Sequence, residues 1–297
     1  MNSSSFPLSS KDVGYVRDFW NANPCGAQYV KSPFGTPEFF REYAEIRYRS
    51  EWHLNYLIPF EKYQDKQILE IGCGLGADGA RFAQNGAIYT GVDLTQAAVD
   101  ATRFHFQALG LPGTFKVQNA ERMTDFENSR FDLVYSHGVL HHTPNLDNAL
   151  REVQRVLKPG GDIIIMLYYR PSFNYYVRIQ GYTRLKVLAY LLVRPVLPES
   201  RRKGNLELHY QNFRHMGFKY LSVAEFPNHC TDGPECPIAN SYTKSEIQRL
   251  FSPYFVNLRF AVAHFPIHNT IHFFPLNVER FLASRFGWYL FIYGNKV

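Results

Sequence analysis

The sequence predicts an α/β protein built on a doubly wound, mostly parallel sheet with helices on both faces. Short apolar runs alternate with helical stretches from about residue 62 to residue 170, and short turns separate them. This alternation is typical of a parallel sheet whose strands are connected by helices. A turn with three glycines follows the first apolar run. The fifth run, 162–167, is a continuous apolar run, as expected of a central strand buried on both faces.

Residues 1–61 precede the first predicted strand, and we expect them to form an N-terminal helical cap. Residues 38–57 fit one helix, because their aromatic residues recur on one side of it. Arg47 and Tyr48 belong to this helix. The segment 19–26, which reads FWNANPCG, predicts a turn held by aromatic packing.

The core of the protein is predicted to span residues 62–170. Its five predicted strands are 67–71, 88–92, 114–118, 132–136 and 162–167. The first helix of the core is expected to end at Gly86, a residue suited to a left-handed C-cap. The second helix should begin at Thr95 as its N-cap and end at Gly110. A further helix, 145–157, leads to the Pro-Gly-Gly turn before the fifth strand.

Residues 171–240 break the alternation of strands and helices and are predicted to form a lid inserted after the fifth strand. The lid is rich in Tyr, Phe and Arg, and its predicted helical stretches are 172–192 and 206–216. The chain then returns to the core sheet over 241–297, with a helix at 243–251 and strands near 255–264 and 287–293. We therefore expect a single domain overall.

The glycine turn suggests a ligand that lies against the backbone. Gly72, Gly74 and Gly76 alternate with other residues after the acidic Glu70. A turn without Cβ atoms admits a ligand closely, and the start of the next helix offers free N–H groups. The spacing G-x-G-x-G differs from the dinucleotide motif G-x-G-x-x-G. The second strand ends in Asp93, and a carboxylate at this position can accept hydrogen bonds from both hydroxyls of a ribose.

Four segments resemble, in their order and spacing, the motifs of class I S-adenosylmethionine-dependent methyltransferases. They are EIGCGLG at 70–76, GVDL at 91–94, FDLVYS at 131–136 and LKPGG at 157–161. The resemblance is strong over residues 62–170 and weak at the C-terminal end. It implies a seven-stranded sheet closed by an antiparallel hairpin, and S-adenosyl-L-methionine as cofactor with S-adenosyl-L-homocysteine as product. It does not identify the substrate. It implies no metal.

The resemblance places the cofactor at the tips of the first four strands. Glu70 would hold the ammonium of the methionine part, and Asp93 the ribose. Either Asn119 or Glu121 would lie beside the adenine amine. Arg47 could bind the methionine carboxylate or the substrate, or it could be a surface arginine. The other expected cofactor residues are Gly72, Cys73, Gly74, Gly76, Leu94, Ala120 and Ser136.

Methyl transfer from a sulfonium is an in-line displacement, in which a general base helps hydroxyl or carbon nucleophiles. The candidates for this base are His137, His141 and His142, because the fourth strand points at the methyl group and histidine titrates near neutrality. Of these, we expect His137 or His141 to be catalytic. For His142, packing and a hydrogen bond within the turn are the expected role, with a substrate contact as the alternative. The candidate substrate contacts are Tyr48, His142, Tyr168, Tyr169 and His229.

The composition favours a small-molecule substrate over nucleic acid. The net charge is +6, but the basic residues are dispersed apart from Arg201, Arg202 and Lys203. A solvated basic surface is the simpler interpretation, and an anionic partner is the alternative. Tyr, Phe and Trp make up 16% of the chain and suit a pocket wall.

The sequence also bears on the location of the protein. It begins without a basic segment followed by an apolar one, and its longest apolar stretch is too short to span a bilayer. Cys230 and Cys236 are expected to be two thiols rather than a disulfide. We therefore expect a cytoplasmic protein without a membrane span. A homodimer is left open.

The preferred function is methyl transfer to O, N or C of a small metabolite that is anionic or aromatic and apolar, as in secondary metabolism. A C-methyltransferase of a prenyl diphosphate is a narrower alternative, because aromatic rings can stabilise a developing cation. Nucleic-acid or protein methylation is disfavoured, since the chain has neither an Asn-Pro-Pro-Tyr tetrapeptide nor a long basic tract. A non-catalytic cofactor-binding subunit is the remaining alternative.

Overall fold

The computed structural model describes residues 12–265, 267 and 273–297, so residues 1–11 of the predicted cap lie outside the described residues. The strands within this part are β1 (Gln67–Ile71), β2 (Ile88–Asp93), β3 (Thr114–Val117), β4 (Phe131–His137), β5 (Leu157–Tyr169), β6 (Ser241–Tyr242), β7 (Phe255–Ala263) and β8 (Tyr289–Lys296). They form one sheet in the order β3-β2-β1-β4-β5-β8-β7, and β6 pairs with the end of β5.

The first five strands run parallel, whereas β8 runs antiparallel to both β5 and β7. The predicted doubly wound α/β fold is therefore confirmed. The path of seven strands carries one addition, the two-residue strand β6, which pairs in parallel with the end of β5. The strand order reverses at β1, which lies between β2 and β4. Ligands of such sheets bind beyond the carboxyl ends of the strands at this point.

Helices cover both faces of the sheet. The α-helices of the described chain, which include those of the cap and the lid, are α1 (Val13–Ala22), α2 (Pro37–Ser50), α3 (Leu54–Leu57), α4 (Ala77–Gln84), α5 (Gln96–Ala108), α6 (Leu146–Val156), α7 (Arg184–Val193), α8 (Asn205–Met216), α9 (Lys244–Phe251) and α10 (Leu276–Phe286). A π-helical segment, Asn174–Thr183, runs directly into α7. Among the described residues, no helix combines the length and the apolar character that crossing a bilayer requires.

The predicted starts and ends of the core helices agree with the structure. The Thr95 side chain accepts a hydrogen bond from the Ala98 N–H and begins α5. Gly86 and Gly110, which follow α4 and α5, both have positive φ. The prediction of one helix over 38–57 was wrong, because Glu51 leaves the helical conformation (φ −110°, ψ 46°) and ends α2.

Two layers of apolar side chains hold the sheet between its helices. Successive residues of β1 point to opposite faces, so Leu69 packs with residues of α6 and α9 while Ile68 packs with residues of α3, α4 and α5. The lid has an apolar cluster of its own, which includes Tyr168 at the end of β5 and Trp288 before β8. All four cysteines, each of them in the described chain, are free thiols, as expected for Cys230 and Cys236.

Replacing Phe82 by alanine tests the packing of α4 on the sheet. Phe82 is fully buried, and its ring centroid lies 4.7 Å from that of Phe60 and 5.3 Å from that of Tyr135. We expect Phe82→Ala to lower the free energy of unfolding by about 3–5 kcal/mol, because it leaves a cavity. Urea unfolding would measure this loss. Phe104→Ala on α5, where the ring is half exposed, should change stability by less than about 0.5 kcal/mol. Equal losses would contradict this packing.

Candidate active site

A cavity of about 240 Å³ lies beyond the carboxyl ends of β1, β2 and β4. The glycine turn after β1 forms one side, and residues of α1 and α2 form another. The far end is formed by Tyr168 of β5, Tyr289 of β8 and Asp232 of the lid. The cavity thus lies where the strand order reverses, and its walls come from the cap, the core and the lid.

The glycine turn places backbone directly against the cavity. Gly72 has φ +81°, and a Cβ there would lie 2.1 Å from Cγ2 of Val139 in the loop after β4. Gly74 has φ +54°, and no described atom lies within 4 Å of where its Cβ would be. The first glycine therefore allows the loop to approach closely, and the second leaves open space for a ligand.

Asp93 ends β2 at the cavity wall. Its Oδ1 accepts hydrogen bonds from the Thr95 N–H and Oγ1, both at 3.0 Å, and its Oδ2 accepts one from the Gly74 N–H at 3.3 Å. Burial raises the pKa of this carboxyl, and the hydrogen bonds oppose the rise. Since Oδ2 accepts one bond only, it can accept another from a ligand hydroxyl.

Asn119 and Glu121 follow β3 and were the alternatives for an adenine contact. Asn119 lines the cavity together with Ala120, and its Oδ1 accepts a hydrogen bond from the Glu121 N–H at 2.9 Å. Its NH₂ group could donate a hydrogen bond to a ring nitrogen of adenine. Glu121 is not on the described wall, and its Oε1 accepts a hydrogen bond from the backbone N–H of Asn145 at 2.9 Å.

Glu70 is a buried acid behind the glycine turn. Its Oε2 accepts a hydrogen bond from the Tyr89 hydroxyl at 2.5 Å. Burial, together with the nearby charge of Asp78, raises the pKa of Glu70 well above its usual range. A cationic group entering the cavity would favour the ionised form of this carboxyl.

Arg47 of α2 and Asp78 of α4 form an ion pair at the cavity, in which the carboxylate is buried and the arginine side chain is 17% exposed. Arg47 Nε donates to Asp78 Oδ1 at 3.0 Å and Nη2 to Oδ2 at 2.5 Å. The hydroxyls of Tyr48 and Tyr135 also donate to this carboxylate, at 2.9 and 2.7 Å. Burial alone would raise the pKa of Asp78, but the guanidinium outweighs it and holds the pKa well below its usual range. Arg47 is therefore not a surface arginine.

The same guanidinium orients His137 at the end of β4. Arg47 Nη2 lies 3.3 Å from His137 Nδ1. Because a guanidinium only donates, Nδ1 must accept and Nε2 must carry the proton of the neutral ring. Nε2 faces Glu51 Oε2 at 3.7 Å. Burial lowers the pKa of His137 to about 4, although Glu51 partly opposes the effect.

Glu51 connects this group to the far end of the cavity. Its Oε2 lies 3.4 Å from Arg47 Nη1, and its Oε1 accepts a hydrogen bond from the Tyr289 hydroxyl at 3.2 Å. Burial would raise the pKa of Glu51, but Arg47 and neighbouring histidines lower it to about 2. The sequence analysis missed Glu51, although its place four residues after Arg47 on a predicted helix was a usable signal.

The adjacent histidines of the loop after β4 differ in position. His142 lines the cavity, and its ring is edge-on to Trp20 at 4.8 Å. His141 is fully buried and packs against Tyr168, with ring centroids 3.8 Å apart and the ring planes tilted by 31°. Burial, followed by the proximity of His142 and His137, holds the pKa of His141 well below its usual value.

The structure brings most of the predicted site residues together. Those on the cavity wall are Arg47, Glu70, Gly72, Cys73, Gly74, Gly76, Asp93, Leu94, Asn119, Ala120, His137, His142 and Tyr168. Those that are absent from the wall, within the described chain, are Tyr48, Glu121, Ser136, His141, Tyr169 and His229.

Ser136 donates to the Ile71 carbonyl at 3.0 Å, and the His229 ring bonds a lid carbonyl, that of Pro234, at 3.0 Å. These two side chains hold the turn and the lid in place. Their roles in binding stay predictions.

Several wall residues were not predicted as site residues. Trp20 and Cys25 belong to the segment 19–26, which was predicted to be a turn. Asp78 and Tyr289 were not singled out. Tyr289 has no local sequence signal, since only the pairing of β8 with β5 and β7 brings it to the cavity.

Comparison with known proteins identifies the central segment. Residues 69–165 match the model of a methyltransferase domain family. A ubiquinone biosynthesis O-methyltransferase of Alkalilimnicola ehrlichii is 30% identical over 118 residues, which are 40% of this chain and 48% of that protein. A sterol 4-C-methyltransferase of Caenorhabditis elegans is 33% identical over 133 residues, 44% of this chain and 40% of that protein. The chain thus spans about half the length, or less, of these curated relatives.

A solved structure shares the fold over nearly the whole chain. Magnesium protoporphyrin IX methyltransferase of Synechocystis PCC 6803, solved with bound S-adenosylhomocysteine, superposes with a TM-score of 0.53. The sequence identity is 13%, and the match covers 96% of this chain and 100% of that one. At 13% identity, this similarity shows a shared fold and nothing about the substrate.

Removing the guanidinium tests the ion pair. We expect Arg47→Met to destabilise the protein by about 3–5 kcal/mol near neutral pH, because Asp78 would remain buried without its partner. The pKa of Asp78 is lower in the folded protein than in the unfolded chain. The ion pair therefore stabilises the fold at pH values above the unfolded-state pKa, and this stabilisation is lost as the pH falls through the folded-state pKa. In the variant the Asp78 pKa should rise, so the difference from the wild type should narrow at about pH 4.

Urea unfolding at both pH values would measure this difference. Arg103→Met is the matched control, because Arg103 pairs with Asp100 on the surface of α5. It should cost less than about 1 kcal/mol at either pH. An Arg47→Met effect as small as the control, or one that is independent of pH, would contradict the role of the pair.

Proposed function

We propose that this protein transfers a methyl group from S-adenosylmethionine to a small molecule held in the cavity, because residues 69–165 match the model of a methyltransferase domain family. The observation that carries the proposal is one continuous wall. It runs from the glycine turn and Asp93, past Glu70, to the histidines after β4. This wall offers nucleoside contacts at one end and proton-accepting groups at the other.

The residues present fit the cofactor. Gly74 leaves the backbone open to the cavity. Asp93 Oδ2 can accept a hydrogen bond from a ribose hydroxyl, and the Asn119 amide can hydrogen-bond the adenine. Glu70 would take the methionine ammonium directly or through water. S-Adenosylmethionine, when bound, supplies an electrophilic methyl group on a sulfonium.

The remaining walls align the acceptor and exclude water. Trp20 of the cap and Tyr168 and Tyr289 of the far end are large, rigid side chains around the space next to His137 and His142. Alignment of two reactants can lower a barrier by about 7–11 kcal/mol. A dry site also strengthens the local electrostatic interactions.

The charges of the wall favour an aromatic or apolar acceptor over an anionic one. Arg47 is the one Lys or Arg on the described wall, and Asp78 and Glu51 already neutralise it. The far end adds the carboxylate of Asp232. A prenyl diphosphate would therefore meet acids there, and we expect inorganic pyrophosphate not to inhibit. We propose no role in nucleic-acid binding, and the cytoplasmic location and a homodimer stay predictions.

Methyl-labelled S-adenosylmethionine provides the direct test. The purified protein would be incubated with the labelled cofactor and a pool of small metabolites, and the products analysed by mass spectrometry. We expect label in a small molecule and none in added RNA, DNA or protein. Binding of S-adenosylhomocysteine without any labelled product would instead favour a non-catalytic subunit.

Replacing Asp93 by alanine tests the cofactor site. The carboxylate should accept charge-assisted hydrogen bonds from the ribose, so Asp93→Ala should weaken S-adenosylhomocysteine binding by about 2–4 kcal/mol, roughly 30- to 900-fold. Calorimetry would measure the affinity. Asp100→Ala on the surface of α5 is the control and should leave the affinity unchanged. An unchanged affinity in Asp93→Ala would remove this role.

A further inference from the structure

Three histidines follow or end β4, and their neighbours decide which ring nitrogen can accept a proton. His137 gives its Nδ1 lone pair to Arg47 and turns its Nε2–H toward Glu51. His141 is not on the described wall. Neither ring therefore offers a lone pair to a molecule in the cavity.

His142 has the opposite arrangement. Its Nδ1 lies 2.5 Å from the carbonyl oxygen of Ile238. A carbonyl only accepts hydrogen bonds, so Nδ1 carries the proton of the neutral ring and Nε2 carries the lone pair. Nε2 is buried, and no described residue hydrogen-bonds it. The His142 side chain retains 6% relative exposure.

Asp232 of the lid faces this nitrogen. Its Oδ2 lies 3.9 Å from His142 Nε2, and the Tyr168 hydroxyl holds the carboxylate with distances of 3.1 and 3.3 Å to its two oxygens. Both His142 and Asp232 line the cavity. A separation of 3.9 Å is too long for a direct hydrogen bond, so no described residue donates to the Nε2 lone pair.

We propose that the acceptor hydroxyl of the substrate donates its hydrogen bond to His142 Nε2, that His142 is the general base and that Asp232 stabilises the imidazolium, so that the enzyme is an O-methyltransferase of phenols or enols. The proposal rests on the proposed function above. The O–H bond breaks and its proton moves to Nε2, while an oxygen lone pair forms the new bond to the methyl carbon. The electron pair of the methyl–sulfur bond stays on sulfur.

The surroundings select this class of hydroxyl. Phenols ionise near pH 10, as tyrosine does, which brings their protons within reach of an imidazole base. Trp20 and Tyr168 border the His142 ring, and Trp20, which also lines the cavity, offers an apolar surface to an aromatic acceptor. The imidazolium that forms lies beside the Asp232 carboxylate, which stabilises it.

A bound metal ion is the competing interpretation of this cluster. Ligand atoms of His142, Asp232 and Cys236 lie within 4.8 Å of one another. However, Cys236 Sγ lies 4.0 Å from Nδ1, which already donates to Ile238, whereas Asp232 lies beside Nε2. The thiol and the carboxylate thus approach opposite nitrogens of the ring. We therefore expect neither a chelator nor added zinc to change the activity.

Acceptors of graded acidity test the base. Phenol, catechol and 4-nitrophenol would be assayed with methyl-labelled cofactor, using the wild type and His142→Gln. We expect the variant to lose about 10²–10⁴-fold in kcat on the weakly acidic phenols. Its KM should change little, and the loss should shrink on 4-nitrophenol, which ionises without help. Imidazole should partly restore His142→Gly. Asp232→Asn should lower kcat by a smaller factor.

Two measurements separate folding from chemistry. S-Adenosylhomocysteine affinity, measured by calorimetry, should be the same in His142→Gln and the wild type. The absorbance of 4-nitrocatechol bound with S-adenosylhomocysteine should show ionisation at a lower pH in the wild type than in His142→Gln. His215→Gln is the control, since His215 is an exposed histidine of the lid, and it should behave as the wild type.

The outcomes distinguish this proposal from the proposed function. The hydroxyl site would be overturned, and methyl transfer left in place, if His142→Gln lost the same kcat on every phenol or lost none. Label on nitrogen or carbon, or activity that depends on zinc, would have the same consequence. Failure to methylate any phenol while other metabolites are labelled would do the same. Absence of both S-adenosylhomocysteine binding and labelled product would overturn the proposed function itself.

Discussion

The ion pair between Arg47 and Asp78 is the constraint on which the site depends. It joins α2 of the cap to α4 of the core, next to the glycine turn. Two buried charges are costly to remove from water, and they are stable only when hydrogen bonds satisfy the remaining positions. Tyr48 and Tyr135 supply those bonds to the carboxylate. If the cap moved away from the core, Arg47 would lose its partner and the charge of Asp78 would become exposed or unpaired.

The consequences of this pair extend to the histidines. The guanidinium donates to His137, so the neutral His137 ring has its proton on Nε2, whereas the Ile238 carbonyl places the proton of His142 on Nδ1. Two histidines five positions apart thus differ at Nε2, which carries the proton in His137 and the lone pair in His142. The difference in tautomer, rather than the residue type, decides which of them can accept a proton.

The lid is tied to the sheet at the point where it closes the cavity. The Asn240 N–H donates to the His141 carbonyl at 3.0 Å, and the Arg170 N–H donates to the Tyr242 carbonyl at 2.9 Å. The short strand β6 pairs with the end of β5 between these bonds. These contacts hold Asp232 and Ile238 of the lid against the loop after β4, so that residues about 90 positions apart share one site.

The sequence by itself determined the sheet, the glycine turn and the cofactor end of the cavity, because these features follow from local periodicity and from residues that end strands. Gly72, Asp93 and Asn119 each end or follow a strand, and parallel strands bring such positions to one edge. Only the tertiary structure decided the acceptor end. Glu51, Asp232 and Tyr289 reach it from the cap, the lid and the last strand, and the free nitrogen of each histidine depends on a partner distant in sequence, which no local pattern encodes.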